Sequence, residues 1–380
     1  MTRPLSGVRV LAIEQYGAGP YGTMLMAELG AEVLKIEAPS MGGDVSRQTG
    51  PYFLGPDDSQ FFQTFSRAKS SVALEIKTPE GRAQFERLAA TADAVVNNLR
   101  GDQPAKLGVD FATLRSIKPS IVCAHLSAYG RGNSREAWPG YDYLMQAEAG
   151  FMSLTGEPDA PPTRFGLSMV DFMTGSMWAM ATVSAILKAR ETGVGCEVDV
   201  SLFDVALHQL SYPAVWFMNQ GHRIGRLPRG AHPSIAPSQL VRTRDGWGLL
   251  MCQTPKFWDR FCELAGARRL KEDPRFADIP SRRDHLEALG GEVDAVMRER
   301  TTGEWLAVLG GEVPFAPVHD IEEALANPFV AEVGMRDVVD HPDRPDGLHM
   351  LACPIRIDGL RAPGVRAPKL GEQTDAVLGG

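Results

Sequence analysis

The segment VRVLAIEQYGAGPYGTMLMAELGAEVLKIE, residues 8–37, decides the fold. VRVLAIE (8–14) is β-branched and apolar and predicts a buried strand that ends in a Gly-rich turn. Pro20 suits the first turn of a helix over 20–29, and Gly30 suits its end. AEVLKIE (31–37) predicts a second strand. A strand, a tight turn, a helix and another strand in so short a span make a β-α-β unit, so a parallel sheet begins here.

The alternation continues outward. SSVALEI (70–76), DAVVNNL (93–99), PSIVCAHLSAYG (119–130) and CEVDVSLF (196–203) predict further strands. TPEGRAQFERLAATA (78–92) predicts a helix with Thr78 as N-cap, Pro79 at its first position and Glu80 in its positive first turn. Residues 171–190 predict one long apolar helix. Residues 219–240 are rich in Gly, Pro and Arg and predict a long loop or linker. QLVRTRDGWGLLMC then reads as a hairpin around Asp245-Gly246, with helices at 255–265 and 282–299. The fold class is α/β: a large Rossmann-like parallel-sheet domain over 1–220, a smaller α+β domain over 221–325, and a C-terminal segment, 326–380.

With 380 residues, 44% of them hydrophobic and 23% charged, the chain can bury a large core. A net charge of −8 without a run of Lys or Arg argues against a nucleic-acid partner. Cys123, Cys196, Cys252, Cys262 and Cys353 form neither a CxxC nor a zinc pattern, so a reducing cytoplasm with core thiols and no metal is expected. No signal peptide is evident at the start, and no uninterrupted apolar run reaches the roughly 20 residues of a membrane span. Phe172–Leu187, the longest candidate, reads as a buried helix, and the Met and Trp residues of 169–180 read as core.

Gly17, Gly19 and Gly22 match G-x-G-x-x-G, with Glu37 at the end of the second strand where a ribose ligand would stand. This NAD-dependent oxidoreductase reading is disfavoured. Any α/β sheet needs such a turn, Pro20 removes one of the N–H groups a pyrophosphate would use, and no hydride-transfer pair follows.

Several stretches together resemble the family III CoA-transferases, the CaiB/BaiF group. They are 4–39 with its AGP (18–20) and its Lys35-x-Glu37 pair, Gly43-Asp44 followed by Arg47, and 66–82 with its strand leading to Lys77. They continue with ADAVVNNLRGDQPAKLG (92–108), PGYDYLMQAEAGFMSLTG (139–156), PPTRFGLSMVDFMTG (161–175), HPSIAPSQLVRTRDGW (232–247), VPFAPV (313–318) and APKLGEQTDAVL (367–378). The resemblance implies an interlocked homodimer with CoA between a large and a small domain, the C-terminal segment returning to the large one. It also implies acyl-CoA and a small, possibly dicarboxylic, acid as substrates, with no permanently bound cofactor.

The VDFMTG context makes Asp171 the nucleophile by resemblance. Its place in the first turn of a helix is expected to keep the carboxylate ionised. Tyr16, Gly17, Ala18, Leu74, Lys77, Asn98, Leu99, Arg100 and Lys106 fall at CoA-binding positions, and Tyr141, Arg164 and His232 are candidate substrate contacts. Loops 17–19 and 228–231 are candidate oxyanion donors. Gly17, Ala38 and Pro139-Gly140 depart from the family pattern, which leaves formate/oxalate specificity unassigned. The family also holds α-methylacyl-CoA racemases, an alternative reading, but Tyr141 replaces the racemase histidine and a phenol with pKa near ~10 is a poor base.

Overall fold

The computed structural model describes residues 3–379. The chain divides into two compact units. One comprises the described residues up to Ala149, Gly166–Gln209 and those from Pro328 on; the other comprises Gly150–Phe165 and Leu210–Asn327.

The first unit carries a six-stranded sheet: β1 (Arg9–Ile13), β2 (Glu32–Glu37), β3 (Ser70–Ala73), β4 (Ala94–Asn97), β5 (Val122–Ser127) and β6 (Cys196–Ser201). The order is β3-β2-β1-β4-β5-β6, and all pairs are parallel. The six strands are those expected, with tighter limits: β3 ends at Ala73, so Leu74 and Lys77 lie on the loop beyond it. The strand order reverses between β1 and β4. At such a switch point the loops leaving two adjacent strands diverge and open a crevice at the strand ends.

Helices α1 (Ala18–Glu28), α2 (Gln60–Ser66), α3 (Pro79–Thr91), α4 (Gln103–Leu107), α5 (Phe111–Leu114), α6 (Asp142–Glu148), α7 (Met169–Thr192) and α8 (Leu202–Gln209) complete this unit's main frame. Thr78 caps α3 by accepting from Gly81 N, with Pro79 at its first position. α7 is long and apolar enough to cross a bilayer by length and composition. Here it lies against α1, β5 and β6. Val170, Thr174, Trp178, Thr182, Ile186 and Ala189 form its buried face. The opposite face is open in the single chain, and Met180, expected in the core, is 64% exposed.

The glycines of the fingerprint find their use in this packing. A Cβ on Gly22 would lie 2.6 Å from the Gly175 carbonyl oxygen, and one on Gly19 2.9 Å from Asn98 Cβ. Gly22 lets α1 and α7 cross closely, and Gly19 admits the Asn98 side chain.

The second unit has an antiparallel three-stranded sheet, Ser238–Arg242, Trp247–Met251 and Phe315–Pro317, the first two joined as the expected hairpin. Helices Pro255–Leu264, Leu286–Met297 and Thr302–Leu309 pack on it around Trp258, Phe261, Phe276, Met297 and Trp305. Residues 150–165 and 210–220, expected within the large domain, belong here. Arg229 N donates to Glu157 Oε1 at 2.9 Å and Arg226 to the Pro161 carbonyl at 2.9 Å.

Candidate active site

The cleft opens at the switch point. Gln15, Tyr16, Gly17 and Ala18 from the loop after β1 form one wall. Asn98, Leu99 and Arg100 from the loop after β4 form another, with Tyr141, Leu202 and Asp171 beyond; the space is about 610 Å³. A second chamber of about 410 Å³ shares Gln15, Leu99 and Gln103 with it. Ile36, Leu74, Ile76 and Leu107 give it apolar walls, and Lys77 and Lys106 stand on its lining. Eleven of the thirteen residues singled out from sequence, all but Arg164 and His232, thus line these chambers: Leu74, Lys77 and Lys106 stand in the second and the other eight in the chamber that holds Asp171.

Asn98 is committed to the backbone. Its Oδ1 accepts from Gln15 N at 2.9 Å and its Nδ2 donates to the Gln15 carbonyl at 2.7 Å, tying the two diverging loops together. Arg100 and Lys106 flank Asp102 at 3.5 and 2.6 Å, both on the exposed side. Arg164 and His232 belong to the other unit, as does the 228–231 loop. There His232 Nε2 meets the Tyr212 hydroxyl at 3.1 Å, and its Nδ1 accepts from Ser234 N at 3.1 Å.

Asp171 sits in the first turn of α7, half-buried. The expectation that the helix end holds it ionised is overturned. Burial, and then the like charge of Asp142, push its pKa up to about 7. Asp142, in the first turn of α6 and 3% exposed, places Oδ2 3.0 Å from the Asp171 backbone N–H. The acid that engages the start of α7 is therefore Asp142, and Asp171 faces the cleft beside it. Gly17 lies so close that a Cβ there would fall 2.9 Å from Asp171 Oδ2.

Below the Tyr16 loop lies a buried charge cluster that sequence reading did not assign. Lys35 Nζ is 2.7 Å from Asp44 Oδ2 and 3.6 Å from Glu14 Oε1, with every side chain fully buried. Lys69 Nζ lies 2.7 Å from Glu14 Oε1. Arg47 Nη2 lies 2.7 Å from Glu37 Oε2, and Arg47 Nε lies 2.9 Å from Oε1. Burial opposes the Lys35 ammonium, but Asp44, Glu14 and Glu37 outweigh it and raise its pKa. For Lys69 burial wins, and its pKa falls to about 8. The ribose role considered for Glu37 fails on the same contacts. Both its oxygens are engaged by Arg47, and Asp44 N and the Ser71 hydroxyl donate to them as well. Among the described residues no histidine lines the Asp171 cleft.

Comparison with known proteins points one way. The chain is 32% identical to the succinate–glutarate CoA-transferase of Agrobacterium fabrum over 98% of this chain and 90% of that one. It is 32% identical to the acetyl-CoA:oxalate CoA-transferase of Acetobacter aceti over 98% and 95%. A CAIB/BAIF family protein from Brucella suis superposes with a TM-score of 0.85 at 30% identity, covering 99% of both chains. The profile of CoA-transferase family III matches residues 5–374. The chain belongs to CoA-transferase family III and is a CoA-transferase.

Proposed function

We propose that this enzyme moves CoA between an acyl-CoA and a small carboxylic acid through covalent intermediates on Asp171. The observation that carries the reading is a half-buried carboxylate at one end of a switch-point cleft whose other chamber is apolar with Lys77 and Lys106 at hand. An Asp171 oxygen attacks the thioester carbonyl and CoA leaves as thiolate, giving a mixed anhydride. The thiolate attacks the aspartyl carbonyl, releasing the donor acid and leaving an aspartyl-CoA thioester. The acceptor carboxylate attacks that thioester, CoA leaves again, and the thiolate takes the acceptor acyl group from the second anhydride, freeing Asp171. Backbone N–H groups at the start of α1 are suited to the oxyanions.

Tyr16, Gly17, Ala18, Leu99 and Arg100 would line the pantetheine path, with Leu74, Lys77 and Lys106 near the adenosine and its phosphates. Relatives named for succinate, glutarate and oxalate support a small dicarboxylic acid as one substrate. The working form in this reading is an interlocked homodimer, because α7 leaves Met180 and Leu187 exposed and the helix Ser211–Gln220 leaves Phe217 and Met218 exposed. The five cysteines are free thiols, four of them buried, which suits a cytoplasmic enzyme.

The test is intact mass after incubation with succinyl-, acetyl- and oxalyl-CoA. A CoA or acyl adduct that hydroxylamine removes, and that Asp171→Ala lacks, is expected. Wild-type turnover by Asp171→Ala would sink the mechanism.

A further inference from the structure

Tyr16 is an aromatic residue with φ +71°, in the left-handed region that strains a side-chain-bearing residue. It stands immediately before Gly17, the residue apposed to Asp171. Something must hold this backbone. The Tyr16 N–H donates to Asp44 Oδ1 at 3.0 Å, and the same oxygen accepts from Ser46 N at 2.8 Å and Ser46 Oγ at 2.7 Å. The other Asp44 oxygen faces Lys35 Nζ at 2.7 Å. Lys35 is itself anchored by donating to the Glu14 carbonyl at 2.9 Å. Asp44 is 3% exposed, on the lining of the second chamber, and Lys35 is fully buried, so both are engaged in these internal contacts.

We propose that Asp44, whose charge Lys35 balances, is a positioning residue for the reaction: its Oδ1 tethers the Tyr16 peptide in its left-handed conformation and thereby seats Gly17 against the Asp171 carboxylate. The inference rests on Asp171 as the reacting group. The sequence pattern Lys35-x-Glu37 followed by Gly43-Asp44 then has a purpose that neither a ribose ligand nor a surface charge pair supplies.

A double-mutant cycle tests it, because glycine adopts φ near +70° without strain and needs no tether. The assay uses the fastest wild-type pair among succinyl-, acetyl- and oxalyl-CoA with glutarate, succinate or oxalate. Asp44→Ala is expected to lower kcat at least about 30-fold in the wild-type background, and to lower it about threefold or less further in a Tyr16→Gly background. Equal losses in the two backgrounds overturn the proposal. Lys35→Met with Asp44→Asn removes both charges but keeps an oxygen for the Tyr16 N–H, and covers the case that Asp44→Ala does not fold. It is expected to keep kcat within about fivefold of wild type, since exchanging a buried ion pair for neutral groups is often tolerated. A folded double variant as slow as Asp171→Ala overturns the tether. One readout needs no substrate: a crystal structure of Asp44→Ala, or of the Lys35→Met/Asp44→Ala variant, with Tyr16 still at positive φ also overturns it. Full turnover by Asp171→Ala would instead sink the nucleophile reading and leave the cycle's result standing on its own.

Discussion

The Asp171 backbone N–H donates to the Asp142 carboxylate at 3.0 Å, so one acid occupies the start of α7 while the other, raised to about 7, is left to the cleft. If Asp171 is the nucleophile, kcat/KM for acyl-CoA rises with pH through about 7, because only the carboxylate attacks. In Asp142→Asn the nearby like charge is gone, and the midpoint moves toward the ordinary carboxylate range. A pH profile of both enzymes checks this; an unmoved midpoint refutes the Asp142 contribution.

The same shift affects stability. A carboxyl whose folded pKa is above its unfolded value favours the fold at low pH and loses that contribution as pH rises from the unfolded value, 3.8, to about 7. Asp171→Asn, which cannot ionise, should therefore melt a few degrees above wild type at pH 8. The difference should close near pH 4. Thermal unfolding at the two pH values decides the matter, and an equal difference at both would contradict it.

Gly22 faces the Gly175 carbonyl where α1 crosses α7. Gly22→Ala forces the helices apart and is expected to cost about 1–3 kcal/mol in urea unfolding. Gly42, at φ +71° with open space around it, should respond through its backbone alone, so that Gly42→Ala costs about 1 kcal/mol.

Lys77→Ala and Lys106→Ala should each raise KM for acyl-CoA roughly 3–10-fold and leave kcat nearly unchanged, if the second chamber takes the nucleotide end of CoA. Both effects should shrink at high salt, since both side chains are exposed and Lys106 already shares Asp102. A fall in kcat with unchanged KM would place them elsewhere.

The sheet was legible because VRVLAIE, AEVLKIE and their successors are apolar runs broken by turn residues, and a parallel sheet buried on both faces requires such runs. The cleft followed from it through the resemblance at 16–18, 74–77 and 98–106. The charge on Asp171 was not legible. A first-turn acid suggests a depressed pKa, and the opposite outcome depends first on burial of the carboxyl and then on Asp142, 29 residues away, reaching the same helix end. The buried cluster was hidden for a related reason. Lys35 and Glu37 look like surface residues by type, and only the adjacency of β1, β2 and β3 supplies Glu14, Lys69 and Ser71. The run 150–165 carried no composition signal for its unit, because what assigns it is Arg226 and Arg229, some 65 to 72 residues on.

The first unit is closed by the last part of the chain. Arg47 donates to the Pro368 carbonyl at 3.1 Å, Gln373 Oε1 accepts from Ser71 N at 2.8 Å, and Thr374 Oγ1 accepts from Ala73 N at 2.9 Å. The fastening of β2, β3 and their charged underside lies some 300 residues further along the chain. Until residues 368–374 are made, the sheet edge is therefore unfinished and Arg47 lacks one of its acceptors. Loss of residues 368–374 alone would therefore loosen an edge built some 300 residues earlier in the chain.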